Sequence, residues 1–306
     1  MELIRHTVPF AAQEVLSLWA QTFGAAEAEL ERPQVDGSET KENLDILYTG
    51  RKDGVLMGTI HATIPRMAPT LCGLSGMCVI PESRGTGLGR ILFTKILEEI
   101  DGQGVEAAFL GTSNPVAAKL YHSLGFSFLP GSNVMVRYKN GDTVDFTKSV
   151  YGPKPEKVTI LPGSPAMRIP MIPLVLHRGK QKLLDCNAGL FSSSEVTQVS
   201  CMGLYPKYTA LDGFWGAVSE AGVLGAMASV QKTELGNRAD FFCCDSFCET
   251  VGQLLDACRQ SCGDIYLQLA ETDTEKRRIA EQLGFRAAEK KPLVLGQFTL
   301  QSVIYK

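Results

Sequence analysis

Apolar positions recur at helical spacing in some stretches of the chain and at strand spacing in others. Residues 11–23 predict an amphipathic helix. Residues 44–50 and 54–64 predict two strands joined by the turn sequence RKDG, and the apolar run 71–80 predicts a third strand. Residues 24–43, between the helix and the strands, are polar and rich in acids, which is typical of a loop or a short helix.

The rest of the first half predicts two helices, each followed by strands. One helix starts at Leu88, because its apolar residues share one face, and an apolar strand covers 105–112. The second helix has clear end signals, with Asn114 as N-cap, a proline at the first helical position and Gly125 beyond its end. Residues 126–138 predict two closing strands. This order of elements is mixed α+β and differs from the strict alternation of a doubly wound sheet.

A polar stretch ending in glycine and proline, residues 138–155, predicts a domain boundary. We therefore expect one domain at 1–141 and a second at 152–306, in line with about 150 residues per domain.

The second half repeats the pattern of the first. Residues 264–285 align with 105–126 without a gap, at a shift of 159 positions, and residues 222–230 resemble 54–64. Two similarities in the same order favour a duplication. The alternative is that any strand and helix ending in a glycine cap would look alike.

Composition and charge exclude several classes of protein. The chain has 306 residues, 44% of them hydrophobic, and a net charge of −3, so we expect neither a nucleic-acid nor a membrane partner. No run is apolar enough for a membrane span, and residues 1–24 lack the apolar core of a signal peptide. Nine cysteines, without the paired spacing of a zinc site, predict buried thiols in a cytoplasmic protein rather than disulfides or a metal site.

The stretch ESRGTGLGRILF, residues 82–93, places Gly85, Gly87 and Gly89 directly before a helix and after Arg84. A helix begins with amides that have no internal partner, and glycines let these amides approach an anion. The pattern predicts a phosphate cradle, and the alternative is a tight turn that only needs glycine. The lysine of a P-loop is absent, and the spacing differs from the dinucleotide fingerprint.

Two segments together resemble the GNAT family of N-acetyltransferases. Arg84, Gly87 and Gly89 fit the family's Arg/Gln-x-x-Gly-x-Gly/Ala signature, and residues 114–126 fit Asn-x-x-Ala-x-x-Leu-Tyr-x-x-x-Gly-Phe at every named position. The resemblance covers most of residues 1–140. It implies two tandem domains of the GNAT fold, each a mixed, mostly antiparallel sheet flanked by helices.

The resemblance also implies roles for individual residues in a direct transfer from acetyl-CoA, the co-substrate, to an amine. Backbone amides of the glycine turn would hold the CoA pyrophosphate, and a strand end would bind the pantetheine arm and polarise the thioester. Asn114 would contact the pantetheine, and Tyr121 would protonate the departing thiolate. The cofactor-binding residues implied are Met77, Cys78, Val79, Arg84, Gly85, Thr86, Gly87, Leu88, Gly89 and Asn114.

Each of these side chains also has a structural interpretation. Asn114 could only cap its helix, and Tyr121 could be core. Cys78 beside the thioester could form an acyl-enzyme, but the family transfers directly, so packing is the preferred interpretation.

The general base is not evident from the sequence. His61, on the mixed face of its strand, is a weak candidate against a surface histidine, and Ser75 or Thr112 could position a water. An acidic run suggests either a cationic acceptor or a solvated loop; it comprises Glu27, Glu29, Glu31 and Asp36.

The second half lacks the predicted site. At the shift of 159, Tyr121 aligns with Ala280 and Asn114 with Asp273, and residues 240–262 contain no glycine loop. Arg84, Gly87 and Gly89 align with Cys243, Ser246 and Cys248. We therefore expect a degenerate domain that neither binds CoA nor transfers, and that shapes the acceptor cleft or forms a subunit interface, as in a homodimer.

Three functions compete on the sequence alone. The first is an N-acetyltransferase acting on a small-molecule or protein amine. The second is an acyl-CoA-binding regulatory module without transfer, and the third is a nucleotide-dependent enzyme that uses the same loop. An intact Tyr121 favours the first.

Overall fold

The computed structural model describes residues 1–177, 181, 183–191 and 204–306. These residues divide into two compact domains, the first Met1–Phe146 and the second beginning at Thr147. The boundaries expected from the sequence, 1–141 and 152–306, stay predictions.

The first domain is a seven-stranded sheet with helices on both faces. The last helix, α6, begins in this domain and ends in the second. The elements are β1 (Glu2–Thr7), α1 (Gln13–Phe23), α2 (Ala25–Glu31), α3 (Pro33–Asp36), β2 (Asn43–Lys52), β3 (Val55–Pro65), β4 (Leu71–Val79), α4 (Leu88–Gly102), β5 (Ala107–Gly111), α5 (Pro115–His122), β6 (Ser127–Phe128), β7 (Val134–Tyr138) and α6 (Thr143–Tyr151).

The strands of the first sheet are ordered β1-β2-β3-β4-β5-β7-β6. Neighbouring strands are antiparallel except β4 and β5, which are parallel. This parallel pair is short, from Leu71 opposite Ala107 to Gly73 opposite Phe109. The carboxyl ends of β4 and β5 therefore diverge and leave a gap in the sheet.

Helices cover both faces of the first sheet. On one face, the apolar residues Ile60 and Ile64 of β3 pack with Leu92 and Ile96 of α4. On the other face, Trp19 of α1 is fully buried in a cluster that covers the mixed positions of β3. Both faces of β3 are therefore buried, although its sequence shows only one apolar face.

A β-bulge interrupts the pairing of β3 with β4. Thr59 faces Cys78 and His61 faces Ser75, so β4 has one residue more than β3 between the two pairs. Gly76 lies in this bulge with a φ of +57°, and a Cβ here would lie 2.5 Å from the Trp19 ring. Both the backbone conformation and the lack of space require glycine at this position.

The second domain contains another seven-stranded sheet and a separate two-stranded one, β9 with β10. Its elements are β8 (Val158–Pro162), α7 (Arg168–Leu176), β9 (Leu183–Asp185), β10 (Leu190–Phe191), α8 (Tyr205–Thr209), β11 (Gly213–Ser219), β12 (Leu224–Thr233), β13 (Gly236–Cys243), α9 (Val251–Cys262), β14 (Ile265–Ala270), α10 (Thr274–Gln282), β15 (Ala287–Leu295) and β16 (Phe298–Tyr305).

The large sheet of the second domain repeats the strand order of the first. It is β8-β11-β12-β13-β14-β16-β15, which corresponds strand by strand to the first sheet. Its only parallel pair among the described residues is β13 with β14, again over three Cα pairs that end at Ala239 and Leu267. The aligned segments 105–126 and 264–285 both form a strand followed by a helix. The second sheet therefore supports the tandem copy that the sequence predicts.

Two elements differ from the sequence expectation. The strand β1 was not predicted and pairs with β2 at the edge of the first sheet. Helix α6 lies within the stretch predicted as a polar boundary, and the Asp142 side chain accepts from the Val144 and Asp145 amides at its start. None of the described helices is both long and apolar enough to cross a lipid bilayer.

Candidate active site

The gap between β4 and β5 is an open cleft of about 740 Å³. The start of α4 and the start of α5 contribute to its walls, because the chain enters each helix from one of the diverging strands. Every predicted site residue except Thr86 lines the cleft. These residues are Met77, Cys78, Val79, Arg84, Gly85, Gly87, Leu88, Gly89, Asn114 and Tyr121.

The glycine turn at the start of α4 presents backbone amides to the cleft. Gly85 and Gly87 have φ values of +77° and +88°, and beyond its chain neighbours no described residue has an atom within 4 Å of a Cβ built at either position. The first hydrogen bond of helix α4 runs from the Ile91 amide to the Gly87 carbonyl, at 3.1 Å. The amides between these two residues therefore have no acceptor within the helix. With the positive end of the helix dipole, this turn can hold an anion.

Arg84 and Thr86 shape this turn through their side chains. The Arg84 Nε donates to the Val79 carbonyl at 3.1 Å, and the residue stays exposed. The Thr86 hydroxyl donates to the Ser83 carbonyl at 2.7 Å, so its side chain stabilises the turn, and Thr86 does not line the cleft.

Cys78 is buried beside the bulge. Its sulfur lies 3.2 Å from the Thr59 hydroxyl, and burial raises the pKa of the thiol above its ordinary value. A thiol that stays protonated is a poor nucleophile. The environment of Cys78 therefore fits packing better than an acyl-enzyme.

Tyr121 lines the cleft in an aromatic environment. Its ring centroid is 5.0 Å from that of Phe93 and 6.4 Å from that of Phe126. Burial, with a smaller contribution from nearby Cys78, raises the pKa of Tyr121 to about 12. The hydroxyl makes no hydrogen bond to any residue that the structure describes, so its proton is available to a ligand in the cleft. The raised pKa keeps this proton on the oxygen and makes Tyr121 a weaker acid than an ordinary tyrosine.

Asn114 caps helix α5 as the sequence predicts. Its Oδ1 accepts from the Val116 amide at 2.9 Å and from the Ala117 amide at 3.4 Å. The side-chain oxygen therefore caps the helix, and the side-chain NH2 group of Asn114 is the part available to the cleft. The two interpretations of Asn114 are compatible.

One carboxylate of the acidic run after α1 is buried. Glu31 is 2% exposed and lines the cleft together with Thr22 and Ser75. Glu29 is exposed and pairs with Arg32 at 2.6 Å, while Asp36 is exposed and accepts from the Ser38 amide. The solvated-loop interpretation thus fits Glu29 and Asp36 but not Glu31, whose negative charge contributes to the raised pKa of Cys78.

His61 is completely buried, so the expectation of a surface histidine is wrong. Its Nδ1 lies 3.1 Å from Ser75 Oγ, and its Nε2 lies 3.2 Å from Asp45 Oδ1. The Thr63 hydroxyl donates to the same Asp45 oxygen at 2.7 Å. Sequence reasoning missed Asp45, and the available signal was an acidic residue inside the apolar strand LDILY.

The corresponding gap of the second domain is filled by its own chain. The Cys186 amide donates to Asp240 Oδ2 of β13 at 2.7 Å, and the Leu183 amide donates to Asp273 Oδ2, before α10, at 3.2 Å. Gln181 and Cys243 are joined by a bond from the Cys243 amide to Gln181 Oε1 at 3.0 Å. Gln181, Leu183 and Cys186 therefore connect the end of β13 to the turn after β14, and we call this region the filled cleft.

A buried ion pair lies in the filled cleft. Lys276 Nζ donates to Asp240 Oδ1 at 2.7 Å and to the Leu184 carbonyl at 2.8 Å, and its side chain is 1% exposed. Ala280, the counterpart of Tyr121, is fully buried and has no hydroxyl to offer. Asp273 caps α10 as Asn114 caps α5.

Comparison with known families agrees with this geometry. Residues 12–126 match the model described as the acetyltransferase (GNAT) family. The amino-terminal domain is a GNAT-family domain. Comparison of the sequence with curated proteins gives no significant match.

Solved structures similar to this chain include several GNAT-family proteins. An acetyltransferase of the family from Staphylococcus aureus is 17% identical, with a TM-score of 0.37 over 45% of this chain and 100% of that chain. A Brucella melitensis acetyltransferase in complex with acetyl-CoA is 17% identical, with a TM-score of 0.37 over 46% and 91%. An Escherichia coli N-acetyltransferase in complex with CoA is 21% identical, with a TM-score of 0.36 over 45% and 81%.

Proposed function

We propose that the GNAT-family domain transfers an acetyl group from acetyl-CoA directly to an amine. The observation that carries the proposal is that one cleft joins an amide-lined turn at Gly85–Gly89 with a protonated tyrosine, Tyr121. The turn offers hydrogen-bond donors and a partial positive charge for the CoA pyrophosphate. Acetyl-CoA supplies the activated acetyl group.

The residues of β4 next to the bulge are proposed to orient the thioester. A bulge locally disrupts the ladder between strands, which leaves backbone groups at Gly76 and Met77 outside regular pairing. A backbone amide directed at the thioester oxygen stabilises the oxyanion that forms during attack, and the loss of one such donor costs about 10²–10³ in rate. Met77, Cys78 and Val79 all line the cleft in support of this role.

In the transfer step, the neutral amine attacks the thioester carbonyl carbon and forms a tetrahedral intermediate. The carbon–sulfur bond then breaks, and the Tyr121 hydroxyl gives its proton to the leaving thiolate. The attacking nitrogen releases its excess proton to solvent, and Tyr121 takes one back from solvent. The products are an acetylated amine and free CoA. The acceptor is proposed to be a small-molecule or protein amine, and the inward Glu31 carboxylate favours a cationic one.

The second domain is proposed to bind no CoA and to have an architectural role. The filled cleft supports this, because Gln181, Leu183 and Cys186 bond to the ends of the strands where a ligand would lie. The proposal predicts one CoA per chain in calorimetry. A stoichiometry of two would contradict it.

The proposal is tested by CoA calorimetry and by release of free thiol with a panel of amines. Tyr121→Phe should lower kcat by about 10²-fold, because it removes the proton donor, while the CoA affinity stays nearly unchanged. Tyr266→Phe is the matched control, since it removes a hydroxyl bonded to Thr233 in the second domain. If CoA binds but no amine accelerates thiol release, the domain is an acyl-CoA-binding module instead. If CoA does not bind, both functions fail.

A further inference from the structure

A row of three polar side chains crosses three neighbouring strands behind the open cleft. Asp45 on β2, His61 on β3 and Ser75 on β4 are joined by the contacts of 3.2 Å and 3.1 Å described above. His61 is directly opposite Ser75 in the β3–β4 register. The row therefore runs from the interior of the sheet to the wall of the cleft, where only Ser75 lines the open space.

The bulge determines that Ser75 belongs to this row. In a regular strand, residues three positions apart point to opposite faces. Ser75 and Cys78 are three apart, but they face His61 and Thr59, which are two apart and share a face of β3. The extra residue at the bulge thus brings the Ser75 hydroxyl onto the His61 face, next to the part of β4 proposed to hold the thioester.

Direct transfer requires a proton acceptor that Tyr121 does not provide. An alkyl ammonium has a pKa near 10 and must lose a proton before its nitrogen can attack. Tyr121 is protonated at neutral pH, as an ordinary tyrosine is, and burial raises its pKa further, to about 12. A buried imidazole beside a buried carboxylate is expensive for a purely structural core, since apolar residues could fill the same space.

We propose that Ser75, His61 and Asp45 form a relay that takes the proton from the acceptor amine. The inference rests on the proposed acetyl transfer. The acceptor ammonium gives one proton to Ser75 Oγ, while the Ser75 hydroxyl proton passes to His61 Nδ1. The nitrogen lone pair is then free to attack the thioester, and the imidazolium is stabilised by the Asp45 carboxylate. After product release the proton returns to solvent by the same path.

The hydrogen-bonding groups are compatible with this sequence of events. His61 Nε2 lies 3.2 Å from Asp45 Oδ1 but makes no hydrogen bond in this arrangement of the described residues. A proton on Nε2 would face this carboxylate, and Nδ1 would then be the acceptor. Ser75 Oγ has one proton and two acceptors within reach, His61 Nδ1 at 3.1 Å and Gln34 Oε1 at 3.0 Å. Rotation of the hydroxyl selects between them, so a bound ammonium that donates to Oγ can direct this proton to His61.

Several side chains surround the imidazole. Asp45 on β2 and Ser75 on β4 contact its two nitrogens. Helix α1 presents the edge of Trp19, whose ring centroid is 6.3 Å from that of His61, and α3 presents Gln34. Asp45 is the acidic group in direct contact with the ring, so Asp45→Asn removes the carboxylate that the relay requires.

Two amine substrates of different basicity distinguish a proton relay from a structural role. With an alkylamine such as butylamine, Ser75→Ala and His61→Gln should lower kcat/KM at pH 7 by about 10²-fold, because no group then removes the proton. With methoxyamine, which is already neutral at pH 7, the same variants should stay within about threefold of the wild type. His122→Gln, at an exposed histidine on α5, is the matched control and should change neither rate.

A nitrogen-detected NMR titration gives a readout that needs no transfer. The chain has four histidines, so the His61 ring can be assigned by substitution. In the wild type at pH 7 the ring should carry a proton on Nε2 and none on Nδ1, and Asp45→Asn should shift this pattern. A ring protonated on both nitrogens at pH 7 could not accept a proton and would overturn the relay.

The outcomes distinguish the relay from the proposed function. Equal losses with butylamine and methoxyamine would show that the variants only damage the site, and no loss with either would show that another base is used. Both results refute the relay and leave the acetyl transfer intact. A wild type that binds CoA but transfers to no amine refutes both proposals.

Discussion

The two large sheets share a strand order and a short parallel pair of strands. The gap beside that pair is open in the first sheet and occupied by the chain in the second. In the first sheet, β4 and β5 diverge around an open cleft of about 740 Å³. In the second, Gln181 and Cys186 bond to residues of β13, and Leu183 bonds to Asp273 just after β14. The topology creates the gap in both domains, and local sequence decides whether a ligand or the chain itself fills it.

Three local differences accompany the open and the filled cleft. The first domain has a glycine turn, a bulge at Gly76 and Tyr121, and the second has no counterpart to these among its described residues. The β12–β13 pairing runs without a register shift from Ala226 opposite Cys243 to Thr233 opposite Gly236. A regular ladder uses its backbone groups in pairing, so β13 offers fewer of them to a ligand than β4 does.

The largest expected effect comes from the ion pair of the filled cleft. Lys276→Met would leave the buried Asp240 carboxylate without its cation and should destabilise the second domain by about 3–5 kcal/mol. Hydrogen exchange, measured peptide by peptide, should show the loss in β13. Arg278→Met on the same helix removes an exposed pair with Glu275 and should cost about 0–1 kcal/mol. Equal losses would mean that the filled cleft is not stabilised by Lys276.

A smaller loss of stability is expected at the bulge of the open cleft. Gly76→Ala puts a Cβ 2.5 Å from the Trp19 ring at a φ of +57°, so strain and overpacking add to about 2–4 kcal/mol. Gly104→Ala, at a φ of +84° and with no described residue other than its chain neighbours within 4 Å of the Cβ, isolates the backbone strain at about 1–2 kcal/mol. Urea unfolding measures both. If the two variants lose the same free energy of unfolding, the contact with Trp19 does not require glycine at position 76.

A substitution in the glycine turn should weaken CoA binding without destabilising the domain more than a substitution at another glycine of positive φ. Gly87→Ala has a φ of +88° and open space around its Cβ, so its cost in stability should match that of Gly104→Ala. A methyl group where the pyrophosphate is proposed to lie should also weaken CoA binding by roughly tenfold, in line with one lost hydrogen bond to a charged group. Calorimetry on both variants checks this. Unchanged affinity in Gly87→Ala would place the pyrophosphate elsewhere.

The pH dependence of stability gives the smallest expected difference. Burial, followed by the nearby Asp240 charge, raises the pKa of Asp185 to about 6 from an ordinary value of 3.8. Between these two values the folded state holds a proton that the unfolded state releases, so this group contributes less stability as pH rises from about 4 to about 6. Asp185→Asn should remove that decline. Thermal unfolding of both proteins between pH 4 and 8 tests the sign, and a steeper decline in the variant would contradict it.

Local signals in the sequence predict the elements that hold the site. The Asn114 cap, the glycine turn and the RKDG hairpin each depend on residues close in the chain. Asp53 and Gly54 take left-handed conformations in that hairpin, as its turn sequence indicates. Helix α6 could also have been found, because Asp142 precedes it at a cap position.

The relay and the filled cleft depend on contacts that local patterns do not contain. A period of two shows that His61 shares a face with Thr59 and Thr63, but it does not show that α1, α2 and α3 cover that face. The Gln181–Cys243 bond joins residues 62 positions apart. The missing glycine loop indicated that the second domain had lost its site, but it could not indicate what took the place of the ligand.

The matching topologies have a consequence for how each domain responds to the cell. The peptide that closes the second gap is covalently attached and is therefore always present. If acetyl-CoA closes the first gap, as proposed, the stability of that domain increases with the acetyl-CoA concentration, since a ligand that binds only the folded state stabilises it. The stability of the second domain would not depend on that concentration.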